Sequence, residues 1–332
     1  IRDRVYGAAS RLLGCKPAEI AFTANASDSW WRAFSSIDLQ PGDRVLLGHS
    51  EFQTNAFGLM QAAQRGVEIE VVPNDASGEI DLDALGDLLD ERVKLVSLTH
   101  ISMANGAIQP ASQVGALARS VGAIFLLDSC QAAGQLPLDV DELGCDFLAF
   151  TGRKFMRGPR ATGILYARES VMERLGETPF IDGRSAEWIS GMTYQYQPGA
   201  QRFEFGEQNF AGKACLAVAI EYAMEQGLDA IQQRVAELST ELRRSLAEVD
   251  GVAVHDEGTR QSGIVTFTVD GKDCAHVKAQ LSAEGINVSA PGRRNAQLDL
   301  GTRGLDSIVR AGVHYFNTTE EVARLVDAVA RL

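Results

Sequence analysis

Short apolar runs of strand length recur through the first half of the chain. Between them the apolar positions fall three and four apart, the period of an amphipathic helix. The pattern opens with a helix over residues 1–13 and a short strand at Ile20–Thr23. Small polar residues at 24–29 then start a helix carrying Trp30, Trp31 and Phe34. Next come strands at Arg44–Gly48, Glu68–Val72, Val93–Thr99 and residues 123–127, 147–150 and 162–167, with helices over 55–65, 82–89 and 113–121. Such alternation predicts a mostly parallel sheet with helices on both faces. Residues 176–206 show neither period, and long helices follow over 211–225 and 229–249. Beyond Gly251 the pattern reads strand 263–269, helix 275–284, strand 286–289, strand 308–315 and helix 319–331. The expectation is an α/β chain: a large doubly wound domain over 1–230 and a small α+β domain over 231–332.

Composition adds bounds rather than detail. With 332 residues, 45% hydrophobic and 23% charged, the chain can bury a large core. Its 44 acidic against 31 basic residues give a net charge of −13, which argues against nucleic acid or an anionic membrane as partner. Cysteines 15, 130, 145, 215 and 274 lack paired spacing, and the five histidines lack the spacing of a metal site. Reduced thiols, no metal and a cytoplasmic location are expected. No apolar run reaches membrane-spanning length. The start at Ile1, without a methionine and directly in helical sequence, suggests that a leading segment is missing.

Two of the strand-type runs stop abruptly at polar residues. Phe125-Leu-Leu runs into Asp128-Ser-Cys-Gln131, and Phe147-Leu-Ala-Phe runs into Thr151-Gly-Arg-Lys154. Ligands of open α/β sheets sit beyond the carboxyl ends of the strands. Pyridoxal phosphate needs both groups: a lysine holds it as a Schiff base, and an Asp meets its pyridinium nitrogen. A solitary lysine is ordinarily a solvated charge, but Lys154 follows a buried strand closely and suits a partly desolvated amine. Asp128 ends an apolar run, where a carboxylate is costly unless partnered; it could equally cap a helix.

Asp-x-x-Gln, followed 26 residues after the Asp by the lysine of Thr-Gly-Arg-Lys-Phe-x-Arg-Gly-Pro-Arg, resembles the class V aminotransferase family. That family also contains cysteine desulfurases, selenocysteine lyases, isopenicillin-type epimerases and sulfoxide lyases. The likeness runs from about Ala18 to the C-terminus. It implies a fold-type I enzyme using pyridoxal 5'-phosphate, a homodimer with its sites near the interface, and an amino-acid substrate. It implies Lys154 as the Schiff-base residue and proton carrier, Asp128 at the pyridinium and Gln131 at the phenolic oxygen. Ala26, Ser27, Thr151 and Arg153 are implied at the phosphate. The cluster at 24–29 is equally a plain helix cap. Phe52 aligns with the group that stacks on the ring, with core packing the alternative. His100, on the same sheet edge, faces ring or substrate or is simply a loop histidine. Arg310, in Arg-Ala-Gly-Val-His, resembles the arginine that clamps the substrate carboxylate, a strand-edge salt bridge being the alternative.

Departures from the pattern are as informative. Glu207 stands where desulfurases carry a threonine that reaches the phosphate across a dimer interface. Met103 replaces an asparagine that assists the carboxylate, a part for which Asn105 is a substitute; Asn55 is a further candidate at the substrate. Desulfurases also need a nucleophilic thiol on a mobile loop between Ile286 and Arg310, and no cysteine lies there. Arg293 and Arg294 in that loop suggest a second anionic group on the substrate, or a solvated loop. Trp30, Trp31, Tyr194 and Tyr196 could line a pocket or be core. The reading is a C–S lyase acting by β-elimination on a sulfur-bearing amino acid. An aminotransferase or epimerase is the alternative, and a non-catalytic protein retaining the fold is another. A dinucleotide-binding reductase would need a Gly-x-Gly-x-x-Gly turn after the first strand, and none is present.

Overall fold

The computed structural model describes residues 3–332, so the first two residues of the predicted opening helix lie outside it. Helix α1 runs over Arg4–Leu13 and ends at Gly14, whose φ of 68° is the left-handed turn that closes a helix. The main sheet has seven strands: β1 (Ile20–Thr23), β2 (Arg44–Gly48), β3 (Glu68–Val72), β4 (Val93–Thr99), β5 (Ile124–Asp128), β6 (Phe147–Thr151) and β7 (Gly163–Ala167), in the order β1-β7-β6-β5-β4-β2-β3. Strands β3, β2, β4, β5 and β6 are parallel; β7 beside β6 runs antiparallel to them, and the edge strand β1, antiparallel to β7, returns to their direction.

The continuous apolar runs are explained by burial on both faces. Leu46, Val96, Leu98, Phe125, Leu127, Leu148 and Phe150 pack into one core, and the alternate residues Val45, Leu47, Leu95, Leu126, Phe147 and Ala149 into the other. Helices α2 (Ala26–Phe34), α3 (Gln53–Ala63), α4 (Leu82–Leu88), α5 (Ala111–Ser120) and the short α6 (Val140–Leu143) connect the strands. The expected boundaries hold to within a few residues.

Residues 176–206 are less irregular than expected. They contain an antiparallel hairpin, β8 (Ala186–Ser190) with β9 (Thr193–Tyr196), whose exposed faces hide the two-residue period in a polar sequence. Helix α7 (Phe210–Gln226) leads into α8 (Leu228–Ala247). The latter straddles two cores: Ile231 and Val235 pack on the main one, Leu238, Leu242 and Leu246 on a second. That second core lies under a sheet of β10 (Val252–Val254), β11 (Ile264–Val269) and β12 (Val309–Gly312), covered by α9 (Cys274–Ala283) and α11 (Thr319–Ala330).

Two expectations fail here. Residues 286–289 are not a strand, because only Ser289 pairs with Arg310. The strand expected at 308–315 keeps only its middle, since the chain turns at His314 through the Asn317 side chain. Between these segments an unexpected short helix, α10 (Gln297–Thr302), is pinned by Leu300 in a cluster with Ala104, Ala296 and Ile308.

Candidate active site

The carboxyl ends of β2, β4, β5 and β6 meet at one cavity of about 460 Å³, within the range of small-molecule sites. Its walls include Ala26, Ser27, Phe52, Thr99, Met103, Asp128, Cys130, Gln131, Thr151, Arg153, Lys154 and Arg160. Thus Asp128 and Lys154, from adjacent strands, share one cavity, as do the other residues expected at the cofactor.

Asp128 is 5% exposed. Its Oδ1 accepts from the Cys130 N–H at 2.9 Å and its Oδ2 from Asn55 Nδ2 at 2.9 Å. Burial pushes its pKa upward, against which the Lys154 cation and those two donors work. Lys154 comes from the tight loop after β6, where Gly158 N–H donates to the Gly152 carbonyl and Arg157 N–H to the Lys154 carbonyl. Its ammonium stands 5.8 Å from the centre of the Phe52 ring. Burial raises the pKa of the neighbouring Cys130 thiol, and the Lys154 cation lowers it.

The N-terminus of α2 forms another wall. Asn25 caps it by accepting from the Asp28 N–H at 2.9 Å, and no partner takes the N–H groups of Ala26 and Ser27 among the described residues. Free amides at a helix N-terminus favour an anion. Gly163 makes this placement possible: a Cβ there would lie 2.6 Å from the Asn25 carbonyl carbon. Because Gly163 pairs with Thr151 in the sheet, the helix start lies beside the lysine loop and its exposed Arg153. The Thr151 hydroxyl already donates to the Thr162 carbonyl at 3.0 Å, so an anion would compete for its proton.

Three expected site residues take other places. Asn55 is 1% exposed and lies behind the cavity wall, with Nδ2 giving one hydrogen to Asp128 and the other to Glu51 Oε1 at 2.7 Å. It therefore addresses the acid, not a substrate. His100 is buried with Nδ1 3.3 Å from Ser129 Oγ, off the cavity wall; burial lowers its pKa to about 4, so the ring is neutral. Arg293 is tied to Asp306 at 2.7 Å and to the Leu305 carbonyl at 3.2 Å, which fold its loop back on itself. Asn105 likewise cannot stand in for the missing asparagine: it is buried between Glu257 and Asp299, each accepting at 2.9 Å. The aromatic cage does not form either. Trp30 is core, stacked on Phe34, while Tyr194 and Tyr196 stand on the hairpin with their hydroxyls on Glu177.

Arg310, a fourth expected residue outside the cavity lining, donates from Nε to Ser289 Oγ at 3.1 Å and has no carboxylate partner among the described residues. Burial lowers its pKa. Glu207 is exposed. Sequence reading passed over Glu51, Cys130 and Arg160. Glu51 precedes the N-cap Phe52 and so lies outside α3, and no helical spacing ties it to Asn55 in the sequence.

The family model for aminotransferase class-V matches residues 7–325. A probable cysteine desulfurase of Methanothermobacter thermautotrophicus is 30% identical over 335 residues, covering 100% of this chain and 82% of the relative. The cysteine desulfurase of Synechococcus elongatus is 32% identical over 91% of this chain, which spans only 48% of that longer protein. Among solved structures, the apo cysteine desulfurase of Thermococcus onnurineus superposes with a TM-score of 0.94 at 29% identity, over 99% of this chain and 83% of that one. By sequence and by fold the chain belongs to the class V aminotransferases, pyridoxal phosphate enzymes of fold type I.

Proposed function

We propose that the protein is a C–S lyase that eliminates sulfur from Cβ of a sulfur-bearing amino acid. The observation that carries this is the sharing of one cavity by Asp128 and Lys154, while the 286–310 segment offers no thiol. In place of a cysteine-bearing loop that segment folds into α10 and the Arg293–Asp306 pair. The cysteine-desulfurase relatives support sulfur chemistry at Cβ; the missing thiol separates this chain from persulfide formation.

The residues present fit pyridoxal phosphate. The α2 N-terminus with Arg153 would take the phosphate, Phe52 the ring face, Gln131 the phenolic oxygen and Asp128 the ring nitrogen. Bound there, the cofactor would accept the electron pair left when the Cα–H bond breaks. Lys154 Nζ would hold the cofactor at rest and carry the α-proton during the reaction. Arg310 would take the substrate carboxylate, answering a cation that lacks an acidic partner. Met103 and Ile101 make the substrate side of the wall apolar. In the net reaction one water is consumed, the C–S bond is cleaved, and the products are a thiol, pyruvate and ammonia.

The protein would work as a cytoplasmic homodimer with domains near 1–230 and 231–332. The exposed hairpin, with Trp188 77% and Met192 98% accessible, supports a second copy covering that surface. The test is to incubate cofactor-loaded protein with cysteine S-conjugates and with ordinary amino acids. Pyruvate, ammonia and thiol in equal amounts support the lyase. A different keto acid would mark an aminotransferase, an inverted α-carbon an epimerase, and a protein-bound persulfide a desulfurase.

A further inference from the structure

Behind the cavity wall lies a second acid that none of the proposed steps uses. Glu51 is 4% exposed, at the turn between β2 and α3. Its Oε1 accepts from Asn55 Nδ2 at 2.7 Å, from Thr99 Oγ1 at 2.9 Å and from the Phe52 N–H at 3.0 Å, and its Oε2 from Ser97 Oγ at 2.7 Å. Four neutral donors therefore surround the carboxylate, and no basic side chain pairs with it among the described residues. Burial pushes the Glu51 pKa upward and the Asp128 carboxylate adds to this, while the donors from Asn55, Ser97 and Thr99 work to keep it ionised. Asn55 joins the two acids with both hydrogens of one amide, while its own Oδ1 is left buried and unpartnered.

A buried acid without a cation is costly, and replacing it by an apolar residue would remove that cost. The geometry gives it a use. We propose that Glu51 is a positioning residue for Asp128: through the Asn55 amide it aims the Asp128 carboxylate at the cavity and sets a second negative charge behind it. The inference rests on the reading of this cavity as the seat of pyridoxal phosphate, with Asp128 at the ring nitrogen.

Two consequences follow from elementary electrostatics. With Oδ1 on the Cys130 N–H and Oδ2 on Asn55, the Asp128 carboxylate cannot rotate, and its free lone pairs stay toward the cavity it lines. A second negative charge nearby also favours every state that holds one more proton. The proton shared by Asp128 and the ring nitrogen is then retained to higher pH than Asp128 alone would hold it. The charged and titratable groups facing the pair are Lys154 and the Cys130 thiol, both on the cavity side of Asp128. The faces from β4 contribute only the hydroxyls of Ser97 and Thr99.

The experiment uses Glu51→Gln, which keeps the shape and the acceptor toward Asn55 but removes the charge, together with Glu51→Asp, which keeps the charge. Each protein is loaded with cofactor labelled with nitrogen-15 in the ring, and the ring-nitrogen resonance is followed against pH. The wild type is expected to hold the ring proton to higher pH, with Glu51→Gln losing it at about tenfold lower proton dilution, one pH unit, and Glu51→Asp falling nearer the wild type. Ser97→Ala, which removes one donor but leaves the Glu51 charge in place, is expected to titrate close to the wild type, separating loss of the charge from loss of a hydrogen bond. A merely structural role predicts equal loss of fold or affinity in both Glu51 variants and an unmoved titration in whatever binds. That result, or superimposable curves for all four proteins, overturns the proposal. Failure of the wild type to bind cofactor through Lys154 would instead overturn the reading of the cavity.

Discussion

Replacing Gly163 by alanine tests whether the seat at the α2 N-terminus is built as described. The new Cβ would lie 2.6 Å from the Asn25 carbonyl carbon, 2.8 Å from Asn25 Cα and 2.6 Å from Thr23 Oγ1. Two of these three are backbone atoms, which no rotamer change relieves. Clearing the closest carbon to an ordinary contact of ~3.5 Å needs a displacement of about 0.9 Å. The turn that moves is the one presenting the amides of Ala26 and Ser27 to the cavity. Overpacking of this kind costs about 1–3 kcal/mol, and a misplacement near 1 Å at a positioning group costs up to about 100-fold in rate. Urea unfolding of the apo-protein should therefore show a lower midpoint with an unchanged slope. Titration of the apo-protein with pyridoxal phosphate, followed by its visible band, should show cofactor binding weakened by about tenfold or more. A variant with the wild-type midpoint and wild-type cofactor affinity would refute the close packing of the Asn25 turn on β7 and with it the assigned seat.

Other outcomes follow from the same geometry. His100 is held neutral, with its pKa lowered to about 4 against an ordinary 6.5. The unfolded chain therefore binds the proton first as pH falls, so stability present above pH 6.5 is lost progressively down to pH 4. The loss is about 3 kcal/mol for this one group, and His100→Gln should flatten that part of a melting-temperature profile. Arg310→Gln should raise KM for the amino acid by about 10-fold or more while leaving cofactor affinity near wild type; a change in cofactor affinity alone would move Arg310 out of the substrate site. Arg293→Gln breaks only a largely exposed pair and should change stability by about 0–1 kcal/mol and KM little. A large rise in KM would restore it to the substrate site.

How much of this was legible in the sequence depended on what each residue is buried against. The runs at 124–128 and 147–151 are apolar because both sheet faces are covered, so the strands and the polar residues ending them stood out. The hairpin at 186–196 did not, because an exposed hairpin has no buried face to impose alternation. Ile286-Asn-Val-Ser alternates like a strand, yet its neighbours supply only the Ser289–Arg310 bridge. Asn55 and His100 were placed on the right edge of the sheet, but sequence does not say which way a side chain turns, and both turn away from the cavity. Glu51 resembles any surface acid in sequence. Only the convergence of Ser97, Thr99 and Asn55 from separate segments shows that it is buried.

The most direct measurement is the absorption spectrum of the purified protein supplied with excess pyridoxal phosphate, with and without Lys154. The account predicts a yellow protein whose visible band survives gel filtration, and whose borohydride-reduced form carries the cofactor mass on the peptide containing Lys154. Lys154→Ala should lose both signals while keeping its fold. A colourless wild type, or the mass on another lysine, would contradict it.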